Sequence, residues 1–294
     1  MRILTVPNWS FGRDRLLLRR FEEILSDPDI RLHYLESDLD HNRTVSAFSG
    51  ELDVVGEKVL QLSAEAFDSI DLNRHTGVHP RIGALDVCPF ISAFEPLTEE
   101  VQSEINSEIR SLGALLAETF EVPVFLYEKS EEGRHEADLP TLRRGGFGGL
   151  LERDLKPDFG PNRAHPSLGA TVMGLRDFLI AMNVHLHEPS GDHRIALRIA
   201  STIRDLRNEG DERFLGVRAL GFLLPSRNLS QVSLNLTLPD LTPVDPIVDF
   251  IRREAGIKGC AYAGSQLIGV IRQADLATAT HLPVKPEQVV HTTS

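Results

Sequence analysis

Along the first half of the chain, short apolar runs alternate with longer stretches in which apolar residues return every three or four positions. Residues 2–6 read as a strand stopped by Pro7 and Asn8. Leu17, Phe21 and Leu25 then recur at helical spacing among Arg and Glu, which predicts an amphipathic helix over 14–25, with Pro28 beyond its end. Residues 31–35 form a second strand, followed by the acidic, turn-like Glu36-Ser37-Asp38-Leu39-Asp40, and a third strand runs to Gly50. Val55, Val59, Leu62, Ala66 and Ile70 mark a helix over 53–70, and 84–93 read as another strand. Thr98 suits a helix amino-terminal cap, with Glu99 and Glu100 at the positive end of the dipole. Val101, Ile105, Ile109, Leu112, Leu116 and Phe120 sketch the helix it caps, and 123–127 form a strand.

From 129 to 163 the pattern dissolves into polar, Gly-, Pro- and Arg-rich sequence. Gly145-Gly146-Phe147-Gly148-Gly149 lacks the Gly-Lys-Ser/Thr ending of a phosphate loop and reads as flexible loop. A second part begins near 170. Its strand over 178–187 places Asn183, His185 and His187 on one face. Residues 229–237 alternate strictly, with Gln231, Ser233, Asn235 and Thr237 opposite Val232, Leu234 and Leu236. Those polar faces either meet solvent or line a polar cleft. Helices are expected at 194–207, at 246–255 with Asp245 as cap, and around 265–278. The fold class is α+β, two open sheets layered with helices, divided at 1–175 and 176–294.

Composition changes this picture little. The chain has 294 residues, 41% hydrophobic and 25% charged, as in ordinary globular proteins. A net charge of −12 argues against nucleic acid or an anionic membrane as main partner. Any anionic ligand must therefore be drawn by a local Arg or Lys cluster. Two cysteines, Cys88 and Cys260, point to a reducing compartment. No apolar run approaches the ~18 residues of a membrane span, and no signal peptide precedes the first strand, so a cytoplasmic protein is expected.

Candidate chemistry concentrates in Arg74-His75-Thr76-Gly77-Val78-His79-Pro80-Arg81, a polar loop entering the apolar run 82–90. Pro80 biases His79 toward an extended backbone, and an imidazole beside Arg81 suits proton transfer near neutral pH. Set against this, a histidine in a surface loop is commonly solvated or structural. His75 and His79 have the four-residue spacing of a helical metal site, but Gly77 and Pro80 oppose a helix there, so no metal is expected. Cys88 reads as a small buried hydrophobe.

Longer motifs carry a resemblance. Val6-Pro7-Asn8-Trp9-Ser10, Asn42-Arg43-Thr44-Val45, His79-Pro80-Arg81-Ile82-Gly83-Ala84-Leu85-Asp86-Val87-Cys88-Pro89-Phe90, Pro157-Asp158-Phe159-Gly160-Pro161, Gly169-Ala170-Thr171-Val172 and Gly264-Ser265-Gln266-Leu267-Ile268-Gly269 resemble, in order, the motifs of the glutamate formiminotransferase family. The resemblance covers about residues 4–276 and is of the free-standing kind, without a cyclodeaminase domain. It implies two subdomains with a folate tunnel between them, and transfer of a formimino group from N-formimino-L-glutamate to N5 of tetrahydrofolate. It implies His79 as catalytic residue with Asp38 beside it, and a homodimer. Asn8, Asn42, Arg43 and Arg81 fall at substrate positions, the two arginines gripping the glutamate carboxylates. The folate segment falls on Gly160-Pro161-Asn162-Arg163-Ala164-His165-Pro166-Ser167-Leu168-Gly169. Tetrahydrofolate enters as co-substrate, and neither a metal nor a redox cofactor is needed.

Five residues depart from the family pattern where ligand contacts are expected: Phe11, Ala164, His165, Leu168 and His185. They leave room for a folate-dependent transferase with another formimino or formyl donor, or for a folate-binding homologue without turnover.

Overall fold

The computed structural model describes residues 1–188 and 194–292, which fall into two compact units, Met1–Arg176 and Asp177–Thr292. Helix prediction at 194–207 meets a described helix, whereas residues 189–193 and 293–294 lie outside the description.

In the first unit β1 (Arg2–Thr5) and β2 (Asn8–Trp9) act as one strand broken at Val6-Pro7. α1 (Arg15–Leu25), β3 (Arg31–Asp38), β4 (Arg43–Glu51), α2 (Leu52–Ser69), β5 (Leu85–Ile91), α3 (Glu99–Phe120), β6 (Val124–Leu126), the short α4 (Leu139–Leu142) and α5 (Gly146–Leu151), and β7 (Thr171–Leu175) follow. The seven strands lie in the order β3-β4-(β1, β2)-β5-β7-β6. Pairing is antiparallel as far as β5, while β5, β7 and β6 run parallel.

The helices form where the periodicity placed them. Asp14 caps α1 by accepting the Leu16 and Leu17 N–H groups at 2.9 Å each, and Thr98 Oγ1 caps α3 by accepting from Val101. Each cap is worth about 1 kcal/mol. Leu17, Phe21 and Leu25 of α1, Val55, Val59 and Leu62 of α2, and Ile105, Ile109 and Leu116 of α3 bury against Trp9, Phe48, Leu85, Cys88 and Phe90 on one face of the sheet. Residues 129–170 return over the other face at the β5–β7–β6 end, where Leu139, Leu142, Leu150, Leu155 and Ala164 pack on Val87, Val172 and Phe125. That cover stops short of β3 and β4, and the polar residues described below lie there.

The glycine run is therefore not a flexible loop. Gly145, at φ 83°, starts α5, and Leu150 anchors that helix in the cluster over β5 and β7.

In the second unit β8 (Ile180–His187), α6 (Arg194–Asn208), β9 (Val217–Leu224), β10 (Leu229–Leu236), α7 (Val244–Ile257) and β11 (Ala261–Ile268) make an antiparallel sheet of order β11-β8-β10-β9. The small pair β12 (Ile271–Arg272) and β13 (Val289–Val290) follows. α6 and α7 cover the face carrying Met182, Val184, Leu234 and Val217. Two expectations are corrected. Residues 261–268 are an edge strand and only Gln273–Thr278 turn helically, as a 3-10 segment. Asp245 lies inside the first turn of α7, after the Pro243 cap, and accepts from the Thr280 and His281 N–H groups instead. On the face opposite the helices, Gln231 lies directly across from His185 and Ser233 across from Asn183. The His185 Nε2–Gln231 Oε1 contact is 3.2 Å, and Asn183, His185 and Gln231 are buried, while His187 and Asn235 are exposed.

Candidate active site

Directly opposed residues on paired strands share a face, and alternate residues of one strand do so too. Asp38 stands opposite Arg43, and Glu36 and Asn8 both stand opposite Val45. Tyr34, Glu36, Asp38, Arg43 and Asn8 therefore share the face of the first sheet that the three long helices leave uncovered. They gather where β3 ends, β4 and β5 begin and β2 ends, and the 75–81 loop crosses that corner.

His79 is the centre of the group. Its Nδ1–H donates to the Pro80 carbonyl at 2.8 Å, which fixes the tautomer, and its Nε2 accepts from Arg43 Nη1 at 3.0 Å. Burial and the charges of Arg43, Arg143 and His41 hold the imidazole well below its ordinary pKa. The ring is neutral at physiological pH. The His41 ring lies 5.8 Å away, centroid to centroid. Arg43 is itself brought down to about 10 by desolvation and by Arg143, against the pull of Asp86, Asp38 and Tyr34.

The loop is braced from both sides. Arg81 donates to the Gly77 carbonyl at 3.0 Å and also to the His79 carbonyl and the His75 ring. His75 Nε2–H donates to the Asn42 carbonyl at 2.8 Å, and burial with the neighbouring Arg81 depresses that imidazole to about 4. Asn42, in left-handed backbone at φ 47°, accepts from Gly12 N–H at 2.8 Å and donates to the Thr76 carbonyl at 3.1 Å. Asp38 Oδ1 accepts from the His41 N–H at 2.8 Å, and Asn8 Nδ2 donates to the Val6 carbonyl at 3.0 Å. So Arg43 is brought to His79, whereas Arg81 and Asn42 are committed to holding the loop in place. Asp38 acts on Arg43, and Arg43, Arg143 and His41 lower the pKa of the His79 ring.

Two residues that the sequence reading did not assign to the site join the group. Asp86, buried on β5, accepts from the Ile82 N–H at 2.8 Å and pairs with the Arg143 guanidinium beyond α4. A signal was present: Asp86 is the one charge in the apolar run 82–91, and a buried carboxylate requires a partner.

The folate segment divides. Gly160, Pro161, Asn162 and Arg163 are exposed, and Asn162 accepts from the Leu155 N–H. His165 and Gly169 exchange two backbone hydrogen bonds around a tight turn, whose Ser167 and Leu168 N–H groups donate to His165 Nδ1 at 3.3 and 3.1 Å. Gly169 is needed there, because an added Cβ would lie 1.9 Å from the Ile82 carbonyl oxygen. Pro166 and Ser167 tie the turn to Asn73 and Leu72 through their carbonyls. Leu168 is buried in the core beneath the helices, and Phe11 is buried edge-on against Phe21 at 5.0 Å. Both side chains take part in the core packing. Ala164 packs on the cluster over β5–β7, and His165 shapes the turn.

Known proteins agree with this architecture. Residues 2–176 match the formiminotransferase domain, N-terminal subdomain, and residues 181–293 match the formiminotransferase domain. The chain belongs to the formiminotransferase family. It is 33% identical to the glutamate formimidoyltransferase of Thermoplasma acidophilum over 278 residues, covering 92% of this chain and 88% of that protein. The enzyme of the same name from Streptococcus pyogenes serotype M1 is 33% identical, with 90% and 87% covered. The formimidoyltransferase-cyclodeaminase of Rattus norvegicus is 36% identical over 272 residues, and there the chain spans about half of its relative's length, 49%. The two family matches meet the two structural units, each an open sheet layered with helices. Among the described residues no helix is long and apolar enough to cross a membrane.

Proposed function

We propose that this chain transfers a formimino group from N-formimino-L-glutamate to N5 of tetrahydrofolate, with His79 moving the proton. The observation that carries this reading is an imidazole, its tautomer fixed by the Pro80 carbonyl, presenting Nε2 to Arg43 on the open polar corner of the sheet. Family membership and the names of the two microbial relatives support formimino transfer as the reaction.

Tetrahydrofolate supplies the attacking amine, and the exposed residues Gly160 to Arg163 with the turn up to Gly169 are suited to hold it. The formimino carbon is an amidine-like electrophile. As N5 bonds to it, His79 Nε2 takes the N5 proton and then delivers it to the glutamate nitrogen, which leaves as an amine when its C–N bond breaks. Without that proton the leaving group would be an amide-like anion, so the shuttle is worth about 10²- to 10⁴-fold. The depressed pKa keeps His79 in its base form beforehand. Arg43 occupies Nε2 in the unliganded chain and must turn away. A substrate carboxylate, a better acceptor for a guanidinium than a neutral imidazole, draws it off.

The test is glutamate release from formiminoglutamate in the presence of tetrahydrofolate, for the wild type and His79→Ala. Turnover that falls about 10²-fold or more in the variant, with tetrahydrofolate binding kept, supports the reading. Wild-type protein that binds tetrahydrofolate but releases no glutamate would sink it.

A further inference from the structure

The donor in the reading above carries two carboxylates, and Arg81, one of the two cations that sequence alone offered them, is spent on the Gly77 and His79 carbonyls and the His75 ring. A second guanidinium is nevertheless close at hand. Arg143 follows α4 and is brought over β5 by the segment that covers the β5–β7–β6 end of the sheet. Its Nη2 is fixed by the buried Asp86, whose other oxygen is fixed by the Ile82 N–H. The carboxylate side chain is 2% exposed and the arginine side chain 15%, so Arg143 is held by a rigid, desolvated partner while part of it stays open. Its Nε is buried with no hydrogen-bond partner among the described residues. A desolvated guanidinium donor without an acceptor is an expensive arrangement. A second cation, Arg43, stands on the same corner of the sheet, hydrogen-bonded at 3.0 Å to the His79 ring nitrogen.

Two guanidinium groups in one polar corner repel each other; Asp86 engages one edge of Arg143, and Asp86 and Asp38 act on Arg43 through space. A ligand with two anionic groups answers both demands at once. A ligand with one could reach only one of the two guanidinium groups.

We propose that Arg143, positioned by Asp86, and Arg43 form a two-arginine clamp that selects a dicarboxylate donor, Arg143 taking the side-chain carboxylate and Arg43 the α-carboxylate. The inference rests on the reading of this corner as the donor site. It replaces Arg81 by Arg143 as the second carboxylate ligand and makes Asp86 a positioning residue.

The test separates the clamp from the transfer reaction. Binding of L-glutamate and of L-2-aminobutyrate, which lacks the side-chain carboxylate, is measured by calorimetry on the wild type, Arg143→Ala, Arg143→Lys and Asp86→Asn, with melting curves to show that each variant folds. Glutamate is expected to bind wild type about 30- to 100-fold more tightly than 2-aminobutyrate, the value of one charge-assisted hydrogen-bonded pair. Arg143→Ala should abolish that ratio while leaving 2-aminobutyrate affinity within about 3-fold, and Arg143→Lys should restore part of it. Folded Asp86→Asn should reduce the ratio without abolishing it, as expected when the arginine is present but loosely held. A wild type without preference for the dicarboxylate, or an Arg143→Ala variant that loses both ligands equally, overturns the clamp. Either outcome is independent of formimino transfer, which fails only if the turnover assay itself shows no glutamate release.

Discussion

The substitution Gly77→Ala isolates what the 75–81 loop contributes. A Cβ built on Gly77 would lie 2.3 Å from the His41 carbonyl oxygen and 2.9 Å from Arg81 Nη2. An ordinary contact begins near 3.4 Å, so the loop must retreat by about 1.1 Å. The opposing atom is backbone, held by Asp38 at the His41 N–H, and cannot swing aside like a side chain. His79 is two residues on and its main-chain carbonyl is tied through Arg81 to that of Gly77, so the displacement passes to the imidazole. Misplacing a catalytic group by ~1 Å costs about 10²-fold in rate. Overpacking of this size costs about 1–3 kcal/mol of stability. Steady-state kinetics of formimino transfer with thermal denaturation measure both. Gly56→Ala is the control, because nothing lies within 4 Å of its Cβ in mid-helix α2. The same change there should raise stability by about 0.5–1 kcal/mol and leave the rate alone. A Gly77→Ala variant with wild-type kcat/KM and melting temperature would refute the reasoning.

Two further outcomes are expected. Because burial and Arg43 hold His79 well below 6.5, kcat/KM should stay flat as pH falls through 6.5, with its acid limb lower; Arg43→Met removes a cation and should move that limb upward, and an unmoved limb in the pH–rate profile contradicts the electrostatic account. His135 Nε2 pairs with Asp158 Oδ2 at 2.8 Å and joins two segments of the covering layer. Burial works against both ions, yet the pairing leaves His135 raised and Asp158 lowered. A raised histidine stabilises below 6.5 and loses that contribution as pH rises through its folded value, while a lowered carboxylate stabilises above 3.8 and loses its share on acidification. Asp158→Asn should therefore depress the melting temperature more at pH 5.5 than at pH 8.5, and equal losses would show that the pair does not titrate in this way.

Much of the fold was legible because burial on one face imposes a period. Leu17, Phe21 and Leu25, or Ile105, Ile109 and Leu116, repeat at helical spacing only because a sheet lies beneath them. Where burial is two-sided or partial the period fails. β7 is buried along its whole length between β5 and β6 and shows no alternation. β9 alternates, but exposed Leu220 hides it, and β11 is a half-exposed edge strand with a bulge between Tyr262 and Gly264. Its run of Gly-Ser-Gln-Leu-Ile has as much of a helix as of a strand about it.

By itself, then, the order of residues determined the long helices, most strands, the family and the candidate histidine, since each is written locally or in contiguous motifs. Only the tertiary structure decided which cations stand near that histidine. Arg81 lies two residues from His79 and is consumed by its own loop, whereas Arg43 arrives across 36 residues and the Asp86–Arg143 pair closes across 57. Electrostatics depend on distance through space and on exclusion of water, and neither quantity is carried by spacing along a chain.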